Sequence, residues 1–175
     1  MKPGIIVMSE LRGAVADRLL EIQRRYDPRM AAELPPHITI TGSSGMGPIS
    51  PDTTDDELRI ALEPVAATIA PITVRLQSPM QFMQSPVVVM EIDPNGPIRA
   101  LHEAIKSSGL AYEPPRFTFT PHVTLSFYPT LPRDRVRELL RFRIVEPITI
   151  DSIQAYRAID LTRTTKVLDL RLAGI

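Results

Sequence analysis

The chain has 175 residues, 20 basic and 20 acidic side chains, and no cysteine. That length predicts one domain, and a formal charge of zero argues against a sequence-independent grip on long nucleic acid. The lack of thiols excludes a disulfide framework, a cysteine zinc knuckle and a cysteine nucleophile.

From the N-terminus, Ile5 to Met8 reads as a short buried strand, too brief for a signal-peptide core. Leu11, Val15, Leu19, Leu20 and Ile22 recur near the helical period, predicting a helix from about Ser9, as N-cap, to Tyr26. Asp27-Pro28 ends it. His37-Ile38-Thr39-Ile40-Thr41 alternates polar and apolar, a half-buried strand, and a Gly/Ser loop follows. Thr53 or Thr54 caps a helix over Glu57–Ile69, with Pro64 inside it, and Ile72 to Leu76 alternates as a strand. The pattern then restarts. Val87 to Ile92 is a strand, Pro97 to Ser108 a helix, Pro121 to Leu125 a strand and Pro132 to about Phe142 a helix. Ile148 to Ile150 and Val167 to Leu172 read as strands. No run approaches the roughly 18 apolar residues of a membrane helix. The expectation is a soluble, cytoplasmic monomer that needs no cofactor and touches no membrane. The 18 prolines predict short elements, and the basic residues are mostly Arg, with only Lys2, Lys106 and Lys166 besides.

The order strand, helix, Pro-His strand, helix, strand thus occurs twice. His37 and His122 are 85 positions apart. The predicted architecture is α+β with antiparallel sheets. It forms one domain over residues 1–175, made of two pseudo-repeat lobes (about 1–80 and 81–175) with a cleft between them.

The chemistry-bearing residues are Pro36-His37-Ile38-Thr39-Ile40 and Pro121-His122-Val123-Thr124-Leu125. On a strand, residues i and i+2 share a face. His37 therefore projects with Thr39, and His122 with Thr124, while the aliphatic residues face the core. Each proline, having no N–H, suits the first position of its strand. A single His–Thr pair is ordinary; two of three histidines with the same neighbours at equivalent points of a repeat are not. Two imidazoles titrating near neutrality supply an acid and a base, and two hydroxyls hydrogen-bond phosphate oxygens. That is phosphoryl chemistry without a metal. A zinc site would need further ligands, and neither motif has them at ligand spacing.

Paired His-x-Thr-x motifs in a chain of this size resemble the 2H phosphoesterase superfamily, whose best-known branch comprises 2′-5′ RNA ligase-like proteins that act as RNA 2′,3′-cyclic phosphodiesterases. The resemblance implies a bilobal fold of pseudo-twofold symmetry, with antiparallel sheets lining a central cleft and helices outside. It implies hydrolysis of a 2′,3′-cyclic phosphate on a nucleotide or RNA terminus. It also implies roles: His37 protonates the leaving ribose oxygen, His122 activates water, and Thr39 and Thr124 bind phosphate. The branch often carries a basic residue soon after its second motif. Here the chain continues Ser126-Phe127-Tyr128-Pro129, with no Arg until Arg133. Ligation, the reverse reaction, and a binding module without turnover are the alternatives. Phe127, Tyr128 and Arg116 are candidate substrate contacts. Phe82 and Tyr156 are further aromatics able to stack on a base. His102 lacks the Pro and Thr neighbours and reads as non-catalytic.

Overall fold

Short apolar strands punctuated by proline cannot cover a core alone, so they pair across long sequence distances. The computed structural model describes residues 3–82, 85–159 and 163–175. It contains β1 (Gly4–Glu10), α1 (Ala14–Tyr26), α2 (Pro28–Glu33), β2 (His37–Thr41), α3 (Asp55–Thr68), β3 (Ile72–Val74) and β4 (Pro79–Gln81). There follow β5 (Val88–Glu91), α4 (Ile98–Lys106), β6 (His122–Ser126), α5 (Arg133–Leu139), β7 (Ile148–Ile150), β8 (Ser152–Ala158) and β9 (Thr164–Arg171). The fold is α+β, and all the strand pairings are antiparallel.

Three sheets form, in the orders β2-β1-β8-β9, β4-β5-β6 and β3-β7. β8 and β9 come from the second half of the sequence yet pair on β1, while β4 crosses the other way to pair on β5. The reason is local: β3 and β7 pair with each other, so the strand after each is delivered to the opposite sheet.

The repeat survives in the hydrogen-bond register. Glu10 opposes His37 and Met8 opposes Thr39; Glu91 opposes His122 and Val89 opposes Thr124. Each pair has its irregularity at the same place, between Val7 and Met8 and between Val88 and Val89. A bulge shifts the alternation by one residue. Thr41 and Ser126 therefore turn into the core, where both are fully buried, whereas His and Thr of each motif stay half-exposed. Ile38, Ile40, Val123 and Leu125 have no exposed surface and belong to the main core. Each such aliphatic side chain contributes about 1.5–3 kcal/mol on burial.

Three sequence-based expectations change. Ser9 is not the cap of α1. It lies in β1 opposite Ile38, and the helix starts only after Gly13, whose φ of 84° a side chain would strain. Pro28 ends α1 but also begins α2, because its missing N–H costs nothing at a first helical position. β4 and β8 were not anticipated. The helix cap at Thr54 is found, closed by a reciprocal capping box with Glu57. No helix among the described residues is long and apolar enough to cross a membrane.

Asp27 ties α1 and α2 to the end of β6. Its carboxylate, 1% exposed, accepts from Met30 N at 3.1 Å through Oδ1. Oδ2 accepts from Phe127 N at 2.7 Å and Tyr128 N at 2.9 Å. Asp27→Ala strands these donors and is expected to cost about 3 kcal/mol, read as a fall of about 1 M in the urea midpoint. Asp27→Asn, which keeps one acceptor oxygen, is expected to fall in between.

Candidate active site

Both motif histidines are held in the same way. His37 Nδ1 lies 2.7 Å from the Pro35 carbonyl oxygen, and His122 Nδ1 lies 2.7 Å from that of Thr120. The intervening proline has a fixed φ, which turns the carbonyl two residues back toward the ring. A carbonyl oxygen only accepts, so each Nδ1 carries the hydrogen. Each Nε2 is thereby a lone pair when the ring is neutral and a donor when it is charged. Neither Nε2 has a hydrogen-bond partner among the described residues. The ladder continues past the prolines through their own carbonyls, which accept from Leu11 N at 2.8 Å and Ile92 N at 2.9 Å.

β2 and β6 are edge strands that pack against each other. The unpaired carbonyls on their open edges are satisfied from the helices. Gln23 Nε2 on α1 donates to Thr124 O at 2.8 Å, and His102 Nδ1 on α4 donates to Ile40 O at 2.8 Å. Each helix thus holds the motif strand of the opposite sheet. His102 is 1% exposed and stacks on Phe119, with ring centroids 3.9 Å apart. His102 thereby ties α4 to β2.

The sites of the two imidazoles are electrically coupled. Burial pushes the His37 pKa below its usual value; the Pro35 carbonyl opposes that, the charge of His122 adds to it, and Glu10 opposes it. Burial likewise lowers His122, against the Thr120 carbonyl and Glu91. The two carboxylates occupy matching cross-strand positions, a pairing that sequence reasoning missed because it depends on register. The available signal was a Glu followed by an aliphatic residue at each strand exit. Glu10 is anchored further: its carboxylate accepts from the Tyr156 hydroxyl and from Lys166 Nζ at 2.7 Å, and its N–H donates to Gln154 Oε1 at 2.8 Å. Burial and the bond to Glu10 push the Tyr156 phenol upward, so it stays a donor.

The other candidate residues divide between the site and its surroundings. Phe82 meets His122 edge-on, with centroids 5.1 Å apart. Phe127 is 38% exposed just beyond β6 and stands edge-on to Tyr128. The Tyr128 hydroxyl donates to the Glu33 carboxylate at 2.8 Å, and Arg29 covers its ring at 3.9 Å, so protein groups occupy this side chain. Arg116 lies on the loop before β6, beside Ser43 and Phe117. A cavity of about 720 Å³ between α3 and the end of α4 contains none of the motif residues, so cavity size does not mark the chemistry here.

The sequence pattern of the 2′-5′ RNA ligase superfamily matches residues 11–160. The chain is 30% identical to a "Putative phosphoesterase" of Geobacillus kaustophilus over 130 residues, 71% of this chain and 68% of that protein. It is 28% identical to a counterpart from Geobacillus thermodenitrificans over 128 residues, with the same coverage. Among solved structures it is similar to Escherichia coli LigT complexed with 3′-AMP. That match has a TM-score of 0.60 and 14% identity, and covers 99% of this chain and 100% of that one. It is also similar to TT0787 of Thermus thermophilus, with a TM-score of 0.63, 18% identity and coverage of 97% and 98%. At these identities the structures share the fold.

The lowered imidazole pKa values link stability to pH. Folded His37, His122 and His102 bind a second proton less readily than the unfolded chain does. Their contribution is complete above the unfolded value near 6.5 and is lost as pH falls through the lowered folded values. The melting temperature is expected to drop between pH 7 and pH 5. Calorimetry on a His37→Gln/His122→Gln double variant should show a shallower drop.

Proposed function

The chain belongs to the 2′-5′ RNA ligase superfamily, and on that premise we propose that it hydrolyses a 2′,3′-cyclic phosphate by histidine acid–base catalysis. The observation that carries this is the matched pair of rings, each fixed through Nδ1 to a backbone carbonyl and each offering Nε2 beside a threonine of its own strand. A carbonyl-anchored imidazole is a one-atom proton carrier, and two of them suffice for an in-line displacement.

In this reading His122 Nε2 takes a proton from water as its oxygen attacks phosphorus. The bond from phosphorus to one ribose oxygen breaks, and protonated His37 Nε2 gives that oxygen its proton. The roles of the two rings follow the family resemblance. Thr39 and Thr124 donate to the non-bridging oxygens and stabilise the charge that builds there. The phosphate anion also favours the proton that burial disfavours. Binding therefore loads the acid, offsetting the burial that lowers both rings and the charge of His122 that further lowers His37. The LigT structures complexed with 3′-AMP, ATP and NADP+ support a site of nucleotide size.

Hydrolysis of 2′,3′-cyclic mononucleotides, with product phosphate position read by phosphorus NMR, tests the proposal. His37→Ala and His122→Ala are each expected to lower kcat at least ~10³-fold, and turnover is expected to survive EDTA. Wild-type kcat in either variant overturns it. The maximum of kcat/KM, which reports the free enzyme, is expected below about pH 6.5, and that of kcat at higher pH.

A further inference from the structure

A second feature lies on the loop leading into β6. An open cavity of about 420 Å³ is lined by Arg99 and Lys106 of α4 and by Arg116, Phe117 and Phe119, with His102 in its wall. Glu103 is the only acidic residue lining it, and it pairs with Arg99 at 3.6 Å. Lys106 and Arg116 are exposed and make no ion pair among the described residues. Phe117 is 69% exposed. It also borders a neighbouring cavity of about 500 Å³ that includes Ser43, Arg116 and one carboxylate, Glu113. In a chain with zero formal charge, this is a local excess of cation around an aromatic ring that packs on little.

The surface is mechanically continuous with the histidines. The Phe117 carbonyl accepts from Gly45 N at 2.8 Å, and Ser44 Oγ accepts from Thr120 N at 3.0 Å. The Thr120 carbonyl in turn anchors His122. On the other side, Phe119 stacks on His102, which holds Ile40 of β2. Gly45, with φ of 72°, sits so close that a Cβ would lie 2.6 Å from the His102 ring. The loop after the first motif and the loop before the second thus run together as one hydrogen-bonded floor. Phe117 is five residues before His122, at most about 17 Å along the chain.

We propose that this surface binds the RNA strand running 5′ from the terminal cyclic phosphate, making a short oligonucleotide end a better substrate than a free nucleotide. The proposal rests on the phosphodiesterase reading and specifies its substrate. A 2′,3′-cyclic phosphate is formed from a ribose 2′-hydroxyl, so whatever continues from it is RNA. Single strands are held by aromatic stacking and by cations that follow the phosphates, with little need for sequence. Phe117 supplies the stacking face, and Lys106, Arg116 and Arg99 supply the cations. The patch is small, which suits a few phosphates and fits the lack of overall positive charge.

The test compares a 2′,3′-cyclic mononucleotide with a cyclic-phosphate-ended oligoribonucleotide, using wild type, Lys106→Ala and Phe117→Ala at 50 and 200 mM salt. The wild-type KM for the oligonucleotide is expected to be the lower one and to rise about tenfold across that salt range, as two or three phosphate contacts imply. The ratio of kcat/KM for oligonucleotide over mononucleotide is expected to fall about tenfold in each variant. An unchanged ratio overturns the proposal and leaves the phosphodiesterase reading intact. If wild type hydrolyses neither substrate, that reading fails, and fluorescence anisotropy with the same oligonucleotide decides the surface alone. Weaker binding in both variants then supports it, and equal binding overturns it.

Discussion

The backbone carbonyls of Pro35 and Thr120 each take the hydrogen of an imidazole Nδ1, and the proposed chemistry depends on that bond. It fixes the tautomer, fixes the plane of the ring and leaves one nitrogen to act. The bond is local, spanning two residues, so it needs only a proline with the right φ at a strand entrance. Everything else serves to bring two such units together at matching height. The register sets Glu10 against His37 and Glu91 against His122, and the paired bulges then turn Thr41 and Ser126 inward. Two residues of each motif strand thus belong to the site and the remainder to the core.

Bringing two edge strands side by side has a cost, because their open carbonyls would otherwise be buried unpaired. The fold meets it with one side chain from each helix. Gln23 reaches Thr124 O, and His102 reaches Ile40 O, each across to the sheet its own helix does not follow. Asp27 adds a third tie by gathering the amides that end β6. All three are buried polar groups far apart in sequence from their partners. They make the separation of the motif strands a property of the whole core rather than of a loop.

The strand placement and exposed face of the four motif residues are legible because their signal is local. Alternation tells which face each side chain takes, and Pro-His-x-Thr occurring twice gives the pairing of roles. What was not legible depends on non-local contacts. Ser9 has the chemistry of a helix cap, yet its pairing with Ile38 keeps it in β1. Asp27-Pro28 reads equally well as a stop and a start; in the fold its carboxylate caps α2 through Met30 N and also holds the amides just after β6. β8 escaped because both its faces are covered, so Ser152 to Ala158 shows no alternation of burial. Two equal halves are a fair reading of order along the chain. Strand exchange through β3 and β7 leaves no mark on composition or period.

That exchange has a consequence for how the chain is made. Glu10 lies beside β2 but also beside Gln154, nearly the whole length of the protein away. During synthesis at about 5–20 residues per second, β1 waits roughly 7–30 s with one edge bare before β8 emerges to cover it. The nascent first half is therefore an apolar strand in search of a neighbour, and the same edge that later completes the sheet is, for that interval, where another chain would add. The topology that joins the two units through exchanged strands makes completion of this sheet depend on the last strands to emerge.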